Sequence, residues 1–573
     1  MSLSSNRART RLPALVGLGA LALTAACGGS SATKTSPGSG ASAKPVVVGT
    51  KGGNLTLLAQ SDFEHLDPAR VYVTNSSDFS RLLYRTLTTY AAKPGLAGTE
   101  VVPDLATDLG TPSDSAKTWT FHLKPGAKYE DGTAITSKDI KYGVERTFSD
   151  LLPEGAPYFN TLLVGAGVYK GPYKDPKGDL KGVETPDDAT IIFHFMKPLA
   201  DMRYAAALTT TAPVPQAKDT GVKYDARPFS SGPYKIDTYV RGKSIKLVRN
   251  ANWDPKSSPA IGAYPDTIEA LFNLDGATID QRLLADQGPD QTAVQDVPVQ
   301  PENVLKVTTD PAIKARSITG FDNSVTYTAM DTTKAPFDKL AVRQAMEIAY
   351  PKFAARLAGG GTTAGDFAHD VIVPTLSAHK DFDLYPTGDK GDPAKAKKML
   401  ADAGFPNGVT VTLGSANTPA SLKVSAAVKA GLAPAGFNVT IVPIDPAKYY
   451  DTIGTPAKQP NLVNYGWIPD WPSASTVIPP LFTCGAIKPQ GNNNVANYCN
   501  KDFDALSDKA LATTDPKAAD EIWAQLDQML LKDAVVVPKL FGKVLSIAGS
   551  KVKNTYGALP FGGEVDLANV SVQ

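Results

Sequence analysis

From about residue 320 onward, segments with helical periodicity alternate with short apolar segments that have the character of strands. The pattern predicts helices over 338–350 and 422–435, and strands over 409–413 and 439–442. A strand–helix–strand rhythm of this kind is typical of a parallel or mixed sheet that is covered by helices. The sequence therefore predicts an α/β fold for this part of the chain.

The chain of 573 residues is too long for one hydrophobic core, so we expect several domains. In its first third, the pattern predicts a helix over 76–88 and a half-buried strand over 119–123. A second helix is predicted over 136–148, where Thr136 is the expected N-cap and Asp139 follows three residues later. Helices and strands are therefore also predicted in the part of the chain before residue 320.

The charge balance of the chain argues against a nucleic-acid partner. The formal net charge is +1, and 20% of the residues are charged. Arg7, Arg9 and Arg11 fall within the first 26 residues, which contain no acidic side chain, so the remainder carries a net charge of −2. Neither value is the large positive net charge that is typical of a protein that binds nucleic acid or an anionic membrane surface.

The N-terminus has the pattern of an export signal. Three arginines precede an apolar stretch over 12–26 that ends in small residues before Cys27. As a helix this stretch would span about 22 Å, which is shorter than the hydrocarbon core of about 30 Å. We interpret residues 1–26 as a signal peptide that is removed from the mature protein.

Cys27 stands in the stretch LTAACG (23–28), which resembles a bacterial lipobox, with Thr24 where leucine is usual. The resemblance implies that Cys27 carries a lipid and becomes the first mature residue. Residues 28–44 contain no bulky apolar side chain and cannot offset their ordering entropy, so 27–45 reads as a lipidated cysteine with a flexible tether. We expect an exported protein that is lipid-anchored to the outer face of the cytoplasmic membrane. A plain signal peptide with an incidental cysteine is the alternative.

The motifs of common enzyme classes are missing from the sequence. It contains no phosphate-binding loop, dinucleotide fingerprint, nucleophile elbow or zinc-protease motif. None of the five histidines lies within five residues of another, so local metal-ligand spacing is also missing. The sequence therefore predicts neither an enzyme nor a cofactor or metal, although a catalytic pair of carboxylates leaves no motif of this kind.

The remaining two cysteines, Cys484 and Cys499, have 14 residues between them. An exported chain enters an oxidising compartment, where an even pair of cysteines in a loop-rich stretch is expected to form a disulfide. Two free thiols are the alternative. A redox or metal pair is disfavoured because the spacing is not C-x-x-C.

Seven stretches, in the same order along the chain, resemble the peptide/nickel-binding class of solute-binding proteins, bacterial family 5. This is the class of dipeptide- and oligopeptide-binding proteins that serve ABC importers. The similarity runs from about residue 50 to about residue 560. The stretches are 103–110, 118–148, 230–253, 335–350, 392–408, 466–472 and 497–511.

The resemblance implies a two-lobed type II periplasmic-binding-protein fold with a hinge and an extra inserted domain. It assigns lobe I to 46–75, 197–322 and 536–573, the extra domain to 76–196, and lobe II to 323–535. The implied protein is a monomer that captures a peptide or another small solute between its lobes. It then delivers the solute to the permease and ATPase subunits of an ABC importer.

The stretch GWIPDWP (466–472) is the expected ligand site. An aspartate between two tryptophans suits a small cationic group, through charge-assisted hydrogen bonds and cation–π contact. In the family the matching aspartate receives a peptide's α-ammonium, which implies this role for Asp470, with Trp467 and Trp471 beside it. An ordinary turn with buried tryptophans is the alternative.

An extended peptide would add to strand edges of both lobes. One edge is expected at Tyr465 and the residues that follow it, and the other near Val73 and Thr74. Two further solutes stay open, namely oligosaccharides stacked on the tryptophans and a metal complex. Two other protein classes also stay open, an exported hydrolase with two carboxylates and an adhesive surface protein.

Overall fold

The structure, a computed structural model, describes residues 48–573. The predicted signal peptide over 1–26, the lipidation site Cys27 and the tether over 27–45 lie outside the described residues. No helix within 48–573 combines the length and the apolar character that are needed to cross a bilayer.

Strands and helices alternate along the described chain. The strands are β1 (Asn54–Leu58), β2 (Thr88–Tyr90), β3 (Val101–Pro103), β4 (Thr111–Ser113), β5 (Thr118–His122), β6 (Val183–Asp187), β7 (Thr190–His194), β8 (Tyr234–Val240), β9 (Ser244–Arg249), β10 (Thr267–Leu271), β11 (Ala293–Gln295), β12 (Ser317–Met330), β13 (Gly365–Phe367), β14 (Val409–Ala416), β15 (Phe437–Ile444), β16 (Leu462–Trp467), β17 (Val536–Ile547), β18 (Val552–Lys553), β19 (Gly557–Ala558), β20 (Glu564–Val565) and β21 (Ser571–Val572). The helices are α1 (Thr74–Ser80), α2 (Ser137–Arg146), α3 (Phe159–Leu162), α4 (Met202–Ala205), α5 (Gly276–Ala285), α6 (Pro301–Thr309), α7 (Pro311–Lys314), α8 (Leu340–Ala349), α9 (Lys352–Ala358), α10 (Pro393–Asp402), α11 (Pro419–Leu432), α12 (Tyr449–Ile453), α13 (Ile478–Phe482), α14 (Lys501–Ala512) and α15 (Pro516–Lys532).

Three larger sheets organise these elements. The first has the order β11-β1-β10-β9-β8, in which β1 runs parallel to both β10 and β11. The second has the order β13-β17-β12-β16-β14-β15, and the third is the antiparallel sheet β4-β5-β7-β6. Each of the three carries its own cluster of buried apolar side chains. The prediction of a mixed α/β fold with several cores is confirmed.

The unit β14-α11-β15 has the strand–helix–strand arrangement that the alternating pattern predicts. β14 and β15 pair in parallel over eight residues, and α11 connects them. The α11 helix begins earlier than predicted, because the Thr418 hydroxyl accepts a hydrogen bond from Ser421 N and Pro419 occupies the first turn. It closes in a short 3₁₀ turn at Gly436, whose φ of 90° favours glycine.

The segment 76–88 does not form the single helix that its periodicity predicts. Helix α1 ends at Ser80, and β2 begins at Thr88. Between them the carbonyl oxygens of Leu82 and Leu83 accept hydrogen bonds from backbone amides of residues 231–234, which an α-helix would not permit. The leucines repeat at helical spacing because this connection is buried on several sides, which periodicity cannot distinguish from a helix.

The long strands β12 and β17 connect the regions of the first and second sheets. Their pairing shifts register between Phe321 and Val325, and Gly542 lies opposite this irregularity. A Cβ atom at Gly542 would lie 2.4 Å from side-chain oxygens of Asp322 and Ser324, so only glycine fits there. The predicted boundary between residues 322 and 323 falls within this irregularity, and the domain limits stay predictions.

The sulfur atoms of Cys484 and Cys499 are bonded to each other, with Cα atoms 4.4 Å apart. The two residues lie 15 positions apart in sequence, and a loop of this size restrains the unfolded chain by about 3 kcal/mol. We expect the double variant Cys484→Ser/Cys499→Ser to lose about this much free energy of unfolding in urea titrations. Two alkylatable thiols in folded, non-reduced protein would contradict the prediction.

Candidate functional site

A cavity of about 570 Å³ lies between the strand β16 and the segment that contains α1. We call it the cleft cavity. It is lined by residues 71–74, 77, 80–81, 84, 86, 89–90, 207–209, 324, 326, 450, 466–470 and 560–561. Asp470 and Arg81 are the charged side chains of this lining, and most of the others are hydroxyl-bearing or apolar.

Asp470 follows β16 in the stretch that the sequence singled out, and it is partly buried. Its Oδ1 accepts a hydrogen bond of 2.8 Å from the Tyr72 hydroxyl, and its Oδ2 accepts one from the Tyr158 hydroxyl. The two tyrosines are separated from Asp470 by 398 and 312 residues of sequence. Asp470 is therefore the point where three distant segments of the chain meet.

The carboxylate of Asp470 has no cationic partner. Among residues 48–573, no lysine, arginine or histidine lies within ion-pair distance of it. Burial raises the pKa of Asp470 above its ordinary value, while the hydrogen bonds from Tyr158 and Tyr72 oppose the shift. A carboxylate offers about four acceptor positions, so two tyrosine hydroxyls leave room for further donors. The site is thus chemically suited to a cationic group.

The backbone beside Asp470 has an accessible edge. Residues Tyr465 to Trp467 pair with β12 on one side, whereas β14 pairs with β16 at Leu462 and Val463. Beyond Val463, the described part of the chain places no strand on the β14 side of β16. Gly466 and Trp467 line the cleft cavity, so this edge faces the space where a ligand would lie.

Residues 100–489 match the model of the bacterial extracellular solute-binding proteins, family 5. The chain belongs to this family. Because this is a family of solute-binding proteins, the chain is a solute-binding protein.

Several similar proteins extend the comparison beyond the family model. Heme-binding protein A of Haemophilus influenzae is 28% identical over 81% of this chain and 83% of its own length. Di/tripeptide-binding protein 1 of Pseudomonas aeruginosa is 25% identical over 89% of this chain and 92% of its own. A solved structure, clavulanic acid biosynthesis oligopeptide binding protein 2, is 34% identical, with a TM-score of 0.86, and covers 91% of this chain and 96% of its own. This likeness confirms the predicted type II periplasmic-binding-protein fold.

The aromatic side chains of this solute-binding protein lie in different surroundings. Trp467 lines the cleft cavity and donates from Nε1 to Thr476 O at 2.7 Å. Tyr465 is buried, stacks at 6.5 Å on Trp467, and donates its hydroxyl to Asn493 at 3.0 Å. Tyr465 does not line the cleft cavity, and its contact with a ligand stays a prediction.

Trp471, which the sequence predicts beside Asp470 in an aromatic wall, has its side chain almost entirely buried. It is 2% exposed and packs in the apolar cluster of the four-stranded sheet. Its Nε1 donates to Ser475 at 3.1 Å and to Asp201 at 3.3 Å. Proximity to Asp470 in sequence suggested a shared wall, but the turn at 469–472 directs this indole into a packed interface. Trp471 also lines a second cavity, which meets the cleft cavity at Asp470. Its role toward a ligand stays a prediction.

The strand edge predicted near Val73 and Thr74 is wrong in its secondary structure. Val73 is the N-cap of α1 and Thr74 is its first residue. Both residues nevertheless line the cleft cavity, and the Thr74 hydroxyl donates to Glu564 at 3.3 Å. If these residues contact a ligand, they do so with side chains or helix-end amides and not as a strand.

Sequence reasoning missed Tyr72, Tyr158 and Arg81. Arg81 lines the cleft cavity and bridges Asp78 and Asp566, with 3.2 Å to each carboxylate. Its guanidinium also lies 5.0 Å from the ring of Phe561. No short motif surrounds these three residues, so only the folded arrangement identifies them.

Proposed function

We propose that this chain captures short peptides, through their free amino group, in the cleft cavity and delivers them to an ABC importer. The observation that carries the proposal is the carboxylate of Asp470, which is partly buried and lacks a cationic partner. An unpaired charge in such a place is costly to the fold. A ligand ammonium would supply the missing counter-charge.

Three features support a peptide as the solute. The accessible edge of β16 presents backbone donors and acceptors, which an extended peptide can pair with whatever its side chains are. Tyr72, Val73 and Tyr450 are exposed apolar side chains on the cavity wall and can cover variable ligand side chains. Two of the similar proteins are named for di/tripeptides or oligopeptides.

The cleft cavity offers little to a ligand carboxylate. Arg81 is the basic side chain in its lining, and two carboxylates already neutralise it. We therefore propose that recognition depends on the amino end of the ligand and is nearly indifferent to its carboxyl end. Ligand length would then be limited by space more than by charge.

The matched test compares one tripeptide with its N-acetylated and its C-amidated forms, by calorimetric titration of the full chain. We expect N-acetylation to weaken binding by about thirtyfold or more, because it removes the ammonium. Amidation is expected to change the affinity by less than about threefold. A greater loss from amidation than from acetylation would contradict the proposal.

A thermal-shift screen compares free-amine peptides with oligosaccharides and with metal complexes. A specific ligand at a hundredfold excess over its dissociation constant stabilises the native state by about 2.7 kcal/mol. We expect this shift from free-amine peptides and not from the other two classes.

The remaining parts of the proposal concern location and partners. We propose that residues 1–26 direct export, that Cys27 carries a lipid, and that 27–45 tether the folded part to the outer face of the membrane. We further propose a monomer without catalytic activity that docks on the permease of an importer. Mass spectrometry of the mature protein tests the anchor, since a diacylglyceryl group on an N-terminal Cys27 is expected.

A further inference from the structure

A second cavity, of about 720 Å³, adjoins the cleft cavity and is larger than it. We call it the side chamber. Tyr72, Trp467 and Asp470 line both spaces, so Asp470 stands at the boundary between them. The rest of its wall comes from the segment around the four-stranded sheet, from Ser377, from residues of 471–493 including α13, and from the helices α14 and α15 with the connection between them.

The side chamber is rich in carboxylates. Five aspartates line it, against three basic side chains. Two of the basic residues, Lys197 and Lys488, are exposed to solvent, where their charge is screened. Asp201 and Asp520, by contrast, are partly buried, as is Asp470. Within 48–573, none of these three carboxylates has an ion-pair partner.

Asp201 and Asp520 act on each other across the side chamber. Burial raises the pKa of Asp520 above its ordinary value and the negative charge of Asp201 adds to the rise, while a hydrogen bond with Ser377 and the positive charge of Arg203 oppose it. The partly buried cation of the chamber is Arg203, whose guanidinium lies 4.8 Å from the ring of Tyr204. Because five aspartates and three basic side chains line the chamber, its wall carries an excess of negative charge.

Unsatisfied polar atoms also border the side chamber. Ser507 is 1% exposed, lines the chamber, and its hydroxyl has no hydrogen-bond partner. The Nε of Arg203 is likewise buried without a partner. Both atoms are covered by the surrounding protein, so they lie in the packing behind the wall, whereas Asp201 accepts hydrogen bonds from Ser475 at 2.6 Å and from Trp471 at 3.3 Å.

Aromatic rings complete the wall, with Trp119, Tyr158 and Trp523 among the lining residues. Carboxylates combined with aromatic faces are the surroundings that a guanidinium or alkylammonium group prefers. Because Tyr72, Trp467 and Asp470 line both spaces, the chamber lies next to the place proposed for the amino end of a ligand in the cleft cavity. A side chain of the first ligand residue could therefore enter the chamber while its α-ammonium contacts Asp470.

We propose that the side chamber binds the cationic side chain of a lysine or arginine at the first position of the peptide. The inference rests on the proposed function and deepens it, because it assigns a preference to the same bound solute. Asp520 and Asp201 supply the counter-charge.

The test is calorimetric titration of the full chain with two matched pairs of tripeptides. Arg-Ala-Ala is compared with citrulline-Ala-Ala, and Lys-Ala-Ala with norleucine-Ala-Ala, so that size is kept and charge is removed. We expect the charged member of each pair to bind about tenfold more tightly or better. In Asp520→Asn this preference is expected to fall to about threefold or less, with the neutral peptides unchanged.

The control variant is Glu521→Gln, which removes a neighbouring charge that lies outside the chamber lining and pairs with Lys380. It should keep the full preference for charge. Equal binding of charged and neutral peptides by the unaltered protein, or a preference that persists in Asp520→Asn, would overturn the inference. Failure of every peptide to bind would instead overturn the proposed function.

Discussion

Replacement of Asp470 by asparagine is expected to weaken binding of a free-amine peptide by a factor of about 30 to 1,000. Loss of one partner from a desolvated, hydrogen-bonded charge pair costs about 2–4 kcal/mol, which corresponds to this range. Asparagine preserves the size of the side chain, and its amide oxygen can accept from one of the two tyrosine hydroxyls while its amide NH2 donates to the other. The effect therefore isolates the charge, and calorimetric titration measures it directly.

Two controls accompany this variant. The N-acetylated peptide should bind the unaltered protein and Asp470→Asn with the same low affinity, because it has no ammonium to lose. Asp451→Asn, an exposed position outside both cavity linings, should leave the affinity of the free-amine peptide unchanged. If Asp470→Asn weakens both peptides equally, the residue acts on the fold and not on the amine.

The carboxylate of Asp470 should also make peptide binding depend on pH, with weaker binding at lower pH. Burial raises the pKa of Asp470, so it takes up a proton at a higher pH than an ordinary aspartate. Only the ionised form binds an ammonium as an ion pair, and affinity should therefore decline as pH falls through this raised pKa. The decline should be absent for the N-acetylated peptide and absent in Asp470→Asn.

Replacement of Arg146 by methionine is expected to lower the free energy of unfolding by about 3–5 kcal/mol. The guanidinium is fully buried and donates to both carboxylate oxygens of Asp67, at 2.6 and 2.7 Å. It also lies 3.3 Å from Asp219. Methionine fills much of the space but leaves two carboxylates without their counter-charge, which is the costly part of the change.

Lys138→Met is the matched control, on the same helix α2. Lys138 pairs with Asp188 at 2.9 Å, but both side chains are more than two-thirds exposed, at 68% and 69%. Exposed pairs of this kind contribute little to stability. Urea titrations of the two variants should therefore differ by several kcal/mol. Equal losses would show that burial does not govern the strength of the Arg146 contacts.

Much of the fold could be predicted from the sequence, because local patterns there agree with the packed structure. The strands around α11 alternate in burial, and the helix between them has a capping threonine and a closing glycine. The capping pair at Thr136 and Asp139 likewise forms as expected, with Thr136 N donating to Asp139 at 2.8 Å. Such signals fail where a connection is buried on several sides, as between α1 and β2.

The candidate site could be predicted only in part. Asp470 and Trp467 lie in one short, unusual stretch, and the sequence located both at the cleft. The hydroxyls of Tyr72 and Tyr158 come from more than 300 residues away, so no local pattern indicates that they reach Asp470. The side chamber is assembled in the same way, and its charge balance becomes visible only once these segments are packed together.

The central claim is that a ligand amine replaces the counter-charge that Asp470 lacks. A crystal structure of the chain with its tightest free-amine peptide tests it most directly. We predict ligand density in the cleft cavity, with the amino nitrogen about 2.7–3.2 Å from an Asp470 carboxylate oxygen. A peptide bound with its amino group elsewhere, and with Asp470 bonded only to Tyr72 and Tyr158, would contradict the account.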